Sequence, residues 1–476
     1  MNESQPNTDS QSGGGSTLLN APEHVLSTLE SDGSRRWLFP RLSKGSLWKR
    51  RRALAYFLIV FFVALPHLRI NGKPVILLDI LSRKFVFFGH TFLPTDTLLL
   101  TLLMLAGFVM IVYATAVAGR IWCGWACPQT VYMEFLFRPI DRFFEGTSGK
   151  GGKPKQKPTG LMAIARYLIY LVLCMLLAHT FLAYFVGTEA LARWVRSSPL
   201  EHPTAFLVMG GTTGLMLFDF LFFREQLCLI ACPYGRFQSV MLDRQSLIVA
   251  YDPTRGEPRR KGRRHEDDVE KAGDCVDCNQ CVVVCPTGID IRNGLQLECV
   301  NCTQCIDACN NVMDRVGTPQ GLIRYSSQDA LDGKPPRFLR MRTIAYPLAL
   351  AIVGIVFVGV LMTKFAFDAS LMRGQGNPYQ RVGGGMINNN FNLRLTNRTD
   401  EPRTYTIKVL EPVEASVSSA TNDIVELKGN GSQRFPVVVE IKATYIGAAG
   451  QCQGKLIVED DIGNERVVAM KLVGPR

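Results

Sequence analysis

Five stretches of the chain are almost continuously apolar and are separated by strongly charged segments: Ala53 to Leu68, Thr97 to Ala118, Tyr167 to Val186, Thr204 to Phe223 and Ile344 to Thr363. The last four are near the ~20 residues that a helix needs to cross a bilayer. The first is shorter and contains Pro66, which predicts a kink at its outer end. From residue 391 onward the pattern changes from blocks to alternation. Phe391–Leu395, Tyr405–Leu410, Ile424–Leu427, Phe435–Ile441, Lys455–Val458 and Val467–Leu472 read as short strands, with turn signals such as Asn397-Arg398-Thr399-Asp400 and Gly429-Asn430-Gly431 between them. About six or seven such strands predict an all-β sandwich of immunoglobulin-like type. Between the first two apolar blocks, residues 70–96 read as a connector, with Val75–Ile80 and Phe85–Phe88 apolar enough to touch an interface. The first thirty residues are polar and Gly/Ser-containing, so they read as a disordered tail rather than a cleavable signal.

Charge orients these elements. Residues 1–52 and 119–166 each carry eight Lys and Arg, whereas residues 70–96 carry three and residues 187–203 two. Residues 224–342 carry seventeen more. Positive loops stay inside, so the N-terminus and residues 224–342 are expected in the cytoplasm and the region after 364 outside it. The net charge of +12 lies beside apolar spans, which points to a membrane surface and away from nucleic acid. The expected organisation is a cytoplasmic tail (1–47), a four-helix membrane domain (48–240), an inserted cytoplasmic segment (241–342), a fifth transmembrane helix (343–365) and an exterior sandwich (366–476).

Cysteine supplies the chemistry. Of fourteen cysteines, eight lie between Cys275 and Cys309. Cys275, Cys278, Cys281 and Cys285-Pro286 spell C-x-x-C-x-x-C-x-x-x-C-P, and Cys299, Cys302, Cys305 and Cys309 repeat the spacing with Asn310 in place of proline. This is the bacterial two-cluster ferredoxin pattern, in which the fourth cysteine of each run ligates the other cluster. Cys275, Cys278, Cys281 and Cys309 are thus expected to hold one 4Fe–4S cluster, and Cys299, Cys302, Cys305 and Cys285 the second. Zinc also binds C-x-x-C pairs, but needs neither the third and fourth cysteine at these offsets nor their repetition.

Four more cysteines form two C-x-x-x-C-P motifs, Cys123 to Pro128 and Cys228 to Pro233, each closing an apolar block on the cluster side. On a continuous helix the i,i+4 spacing would put both sulfurs on one face. Three readings stay open: metal ligands soft enough for Cu(I), redox-active dithiols, or small buried residues at helix ends. Their duplication, with proline each time, favours function. His67, His90, His179 and His202 fall near the opposite ends of the spans and read as hydrogen-bonded anchors before haem or copper ligands. Asp219 and Arg224 are placed to form an interfacial ion pair, and Cys174 and Cys452 stand alone.

Together these features resemble the FixG/RdxA/CcoG family, bacterial inner-membrane accessory proteins of cbb(3)-type cytochrome c oxidase. The resemblance spans nearly the whole chain after the tail. It implies a cupric reductase whose clusters reduce Cu(II) to Cu(I) for oxidase assembly, with Cys123, Cys127, Cys228 and Cys232 near copper or in the electron route. It further implies a homodimer that works with copper chaperones and oxidase-assembly components; the electron donor stays open. The membrane part also looks like NapH-type ferredoxin proteins, so a quinol-coupled electron-transfer subunit is one alternative. A non-enzymatic assembly scaffold is the other.

Overall fold

Long apolar runs without charge form long helices, and among the described residues of the computed structural model four are long and apolar enough to cross a membrane: Thr97–Ala118, Leu161–Val186, Pro203–Phe223 and Met341–Met362. The model describes residues 27–28, 34–70, 72–80, 84–92, 96–146, 154, 156–260, 273–335, 339–363, 365–374, 377–419, 424–446 and 450–475. Most of the expected tail (1–26 and 29–33) lies outside them. Apolar side chains such as Met104, Phe108, Leu168, Leu207 and Ile355 project outward from the four helices, a surface that water does not tolerate at this extent. The first apolar block differs from expectation. Its helix, Ser46–Ala64, contains the whole basic run Lys49–Arg52 and gives way to a 3-10 turn, Leu65–His67, at Pro66. Four consecutive basic residues lie in its first two turns, and it is not among the four.

The chain divides into two compact units. The first comprises Met1–Leu65, Gly107–Leu182 and Glu189–Leu350; the second comprises Pro66–Ala106, Ala183–Thr188 and Ala351–Arg476. The cysteine-rich segment and the adjacent helix ends thus fall within one compact unit.

In the first unit, Ile248–Tyr251 pairs antiparallel with Ile323–Ser326, and the two cysteine runs lie between these strands. A core of Val249, Ile289, Ile306, Met313 and Leu322 closes beneath them. Residues 34–45, expected to be disordered, instead run along this segment. Arg41 donates its N–H to the Val283 carbonyl at 3.0 Å, and the Ser43 N–H reaches Gln304 Oε1 at 3.0 Å. The Asp307 carboxylate accepts from the N–H groups of Leu47 and Trp48 at 3.3 and 2.8 Å. It thus caps the helix Ser46–Ala64 from a distant point in sequence, satisfying donors that no local side chain serves. A second core stacks Phe137 on Phe220, ring centroids 4.2 Å apart, beside Tyr170.

The second unit is a β-sandwich. Ser416–Ser419, Ser432–Lys442, Met386–Asn397 and Phe367–Arg373 form one sheet, with Gln380–Val382 also paired to Met386–Asn397. Ile424–Leu427, Arg403–Glu411, Gln451–Asp460 and Glu465–Val473 form the other. Alternate residues such as Leu393, Val437, Ile407, Leu456 and Leu472 fill the space between them, as period-2 strands require. The connector after the first helix belongs to this unit and contains a small sheet of Ile76–Asp79, Lys84–Phe87 and His90–Phe92. Asp96 pairs with Arg398 at 3.1 Å, and Lys73 pairs with Asp400. Cys452 is half-buried on strand Gln451–Asp460.

Candidate functional site

The two cysteine runs fold as copies of one turn. In each, the residues before and after the second cysteine are left-handed: Asp277 and Asn279 at φ 48° and 54°, Asn301 and Thr303 at 53° and 62°. Asn and Asp tolerate that region, whereas β-branched Thr303 is strained in it. The repeat coils the backbone so that successive cysteines face inward. The N–H groups of Asn301 and Gln304 donate to the sulfurs of Cys299 and Cys302. A short helix then leaves each turn, Gln280–Val283 and Gln304–Val316, carrying the third cysteine and, in the longer helix, the fourth.

Two cavities result. One is lined by Cys275, Cys278, Cys281 and Cys309 together with Tyr251 and Arg292. The other is lined by Cys285, Cys299, Cys302 and Cys305, with Cys281 between the two. Sulfur supplies the donors of both, without a carboxylate or an imidazole. Burial pushes the Cys299 thiol up to about 11 and those of Cys281, Cys302 and Cys309 to about 12. Buried thiols gathered this way fit 4Fe–4S clusters, whose irons replace the protons. Among the described residues, no three or more His, Cys, Asp or Glu side chains stand close enough together to hold a single metal ion. Ligands of a cube each meet a different iron and stand further apart than ligands of one ion.

The C-x-x-x-C-P motifs correct the expectation of one helical face. Cys123 lies in the short helix Ile121–Trp125, but Cys127 is extended (φ −61°, ψ 126°) and precedes Pro128 of the next helix. In the second motif a π turn, Leu227–Ala231, ends at Cys232 (φ −73°, ψ 112°), and Pro233 opens the helix Pro233–Met241. Proline excludes the α conformation from the residue before it, so each motif breaks at its second cysteine. Both breaks close alike: Cys127 N–H bonds the Trp122 carbonyl at 2.8 Å and Cys232 N–H that of Leu227 at 2.7 Å. The four thiols still share one environment, Cys228 sensing Cys127, Cys123 and Cys232. Burial raises Cys123 to about 11, against a hydrogen bond to Gln238 Oε1 at 3.4 Å, and it raises Cys127 and Cys228 also. Burial thus favours the protonated form of Cys123, Cys127 and Cys228.

The first motif is seated on the second cysteine turn. A Cβ at Gly124 would lie 2.5 Å from the Asn301 carbonyl oxygen and 2.6 Å from that of Val300, so only glycine permits the approach. Arg51, 1% exposed, donates Nε to the Gly124 carbonyl at 2.9 Å and Nη1 to the Cys302 carbonyl at 2.6 Å. Arg120 donates to the carbonyls of Leu297 and Cys299, the latter at 3.0 Å. Trp125 Nε1 donates to Tyr325 Oη at 2.9 Å, and Tyr325 donates on to the Asn301 carbonyl at 3.4 Å. Two guanidinium groups thus stand directly behind the loop that wraps the second cavity. Sequence reasoning missed all of these residues. Arg51 was hidden inside a basic run that reads as a membrane-surface signal, and Arg120 had only its closeness to Cys123 to mark it.

Beside this contact lies a buried charge network. Glu134 meets Arg138 at 2.7 Å and Arg142 at 3.0 Å, and Asp141 meets Arg166 at 2.9 Å and also Arg224. Burial would raise the Glu134 carboxyl, but Arg138, Arg142 and Arg51 overcome it and hold the group at about 2. Arg224 is therefore committed to Asp141 rather than to Asp219, whose Oδ1 accepts from Gln129 Nε2 at 3.1 Å. Of the histidines, His179 shares a hydrogen bond with the Met175 carbonyl at 2.8 Å and His202 lies on Trp194.

Family models agree with these divisions. A 4Fe–4S dicluster domain matches residues 223–328, a 4Fe–4S binding domain matches residues 100–147, which include Cys123 and Cys127, and the IG-like fold at the C-terminus of FixG matches residues 357–475. Protein RdxB of Cereibacter sphaeroides is 32% identical over 94% of this chain and 98% of its own length. RdxA of the same organism is 33% identical over 78% of this chain and 82% of its own. The nitrogen fixation protein FixG of Rhizobium meliloti is 30% identical over 79% of each. A solved FixG-related protein from Vibrio parahaemolyticus aligns whole with 24% of the chain, at 12% identity and a TM-score of 0.21. With sulfur-lined cavities, an immunoglobulin-like region and relatives of this extent, the chain belongs to the FixG/RdxA family of iron–sulfur electron-transfer proteins.

Proposed function

We propose that the protein passes single electrons from two 4Fe–4S clusters to Cu(II), releasing Cu(I) for assembly of a cbb(3)-type cytochrome c oxidase. Cys275, Cys278, Cys281 and Cys309 hold the first cluster; Cys299, Cys302, Cys305 and Cys285 hold the second. Cys123, Cys127, Cys228 and Cys232 receive the metal transiently. When bound, the clusters supply two one-electron stores, and each Cu(II) takes one electron. This chain's residues hold the second cluster's loop against the first thiol motif through Gly124, Arg51 and Trp125. Soft sulfur favours Cu(I) over Cu(II), which draws the reaction forward. The observation that carries this reading is the contact of the Gly124 backbone with the carbonyls of Val300 and Asn301, which sets the redox loop against the thiols. The copper step follows the family resemblance.

In the same reading the segment Ala53–Leu68 crosses the membrane as a fifth span. The N-terminus and clusters face the cytoplasm of a bacterial inner membrane, and the sandwich faces the periplasm. Two chains pair as a homodimer that hands Cu(I) to copper chaperones and oxidase-assembly components.

The test is anaerobic. Purified protein is reduced, Cu(II) is added, and cluster reoxidation is followed beside Cu(I) trapped by a chelator. Stoichiometric Cu(I), slowed in Cys123→Ala/Cys127→Ala and Cys228→Ala/Cys232→Ala variants that keep their iron, is the expected result. Clusters that stay reduced in the presence of Cu(II) overturn the reading.

A further inference from the structure

The first unit contains a cavity of about 620 Å³ that the charge network and the clusters do not use. Phe181, Leu215 and Phe218 are among the apolar side chains from the spans Leu161–Val186 and Pro203–Phe223 that wall it, and Gln129, Asp219 and Leu227 line it as well. Gln129 follows Cys127 and Pro128, and Leu227 precedes Cys228, so the cavity touches both thiol motifs. Asp219 is the one carboxylate of its lining, and its Oδ1 accepts from Gln129 Nε2 at 3.1 Å.

This chemistry selects an occupant. Walls of Phe and Leu at the depth of the spans exclude hydrated ions and sugars and accept a long apolar tail. A carboxylate and a primary amide side by side suit a neutral head that both donates and accepts hydrogen bonds. A phospholipid or fatty acid would set its own negative charge against Asp219, which is unfavourable in a poorly solvated site. A position against two dithiol motifs suits an occupant that is itself redox-active.

We propose that this cavity binds a membrane quinol, which is the electron donor of the protein, with Asp219 and Gln129 holding its head. Two O–H bonds of the quinol break and quinone leaves. The two protons pass in succession by way of the Asp219 carboxylate to water, and the two electrons go one to each 4Fe–4S cluster. The inference rests on the reading of the chain as an electron carrier, and its test separates the two.

The test runs the exchange in reverse with decylubiquinone as probe. Full-length protein in detergent is reduced with dithionite, excess reductant is removed, and decylubiquinone or Cu(II) is added in parallel. The expected result is reoxidation with one quinol formed per two electrons. Leu215→Trp, which fills the cavity, slows the quinone arm at least tenfold and leaves the Cu(II) arm unchanged. Asp219→Asn, which keeps the shape, does the same if the filled variant does not fold. Equal quinone rates in wild type and Asp219→Asn, or phospholipid retained in the cavity that decylubiquinone does not displace, overturn the proposal. Loss of the Cu(II) arm alone overturns copper reduction and leaves the quinol site standing.

Discussion

The two cysteine turns share sequence spacing and backbone conformation but not surroundings. The first has one ligand at the surface: Cys278 is exposed, and Arg292, itself buried against the cavity, clamps the turn through Asp277 at 2.6 Å, Asn279 at 2.6 Å and Asp290 at 2.8 Å. The second is interior. Cys299 and Cys302 are buried, Arg51 and Arg120 press on their carbonyls, and the Gly124 backbone lies against Val300 and Asn301. Near-identical turns thus receive different electrostatic settings. A positive charge in a poorly solvated place favours the more negative, reduced state of a nearby centre. The difference teaches that the repeat specifies the ligand cage, while the packing around each copy specifies its role: the interior copy faces the thiols.

The sharpest break of this comparison is to remove one ligand from each copy. Cys302→Ala and Cys278→Ala are each expected to lose half of the iron. Only Cys302→Ala is expected to abolish Cu(I) formation from pre-reduced protein, whereas Cys278→Ala retains a single turnover; iron content and trapped Cu(I) decide. Gly124→Val keeps both cages but pushes the thiol loop off the second turn. Its Cu(II)-driven reoxidation should fall by roughly a hundredfold, as misplacement by about an ångström does elsewhere, with the cluster spectrum retained. Arg51→Gln sharpens the electrostatic contrast. It is expected to lower the potential of the second cluster by on the order of 1 kcal/mol, ~40 mV for one electron, and to leave the first unmoved in an EPR-monitored redox titration. The smallest effect belongs to Tyr325→Phe, which removes the partner of Trp125. It should cost about 1 kcal/mol, read as faster cluster loss on warming with little change in electron-transfer rate.

Much of this was legible because some signals are local. The run Thr97–Ala118 has the same ends in sequence and structure, since an uncharged apolar block has nothing inside it to stop a helix. The sandwich strands from residue 391 onward follow from alternation. The strand Phe367–Arg373, which pairs with Met386–Asn397, does not announce itself, because it follows an apolar span and alternates weakly. In the thiol motifs the spacing alone suggests a continuous helix, but Pro128 and Pro233 displace Cys127 and Cys232 from the α conformation. The ordered stretch at residues 34–45 is polar enough to pass for tail, and its structure comes from partners such as Val283, Gln304 and Asp307 that no local window contains. The same holds for Asp219, which takes Gln129 instead of the nearby Arg224 because Asp141, distant in sequence, claims the guanidinium.

Arg51 also bears on how the molecule is made. Its guanidinium is buried on the first helix, yet the carbonyls it serves belong to Gly124 and Cys302, the second of which leaves the ribosome long after that helix. Until the cysteine turn has emerged and closed, the charge lacks one of its acceptors and resists burial. A helix synthesised early is therefore among the last to settle, and its final seating reports that the turn around the interior cavity has taken shape. Biogenesis of the membrane part and loading of the cofactor segment are in this way locked into one order.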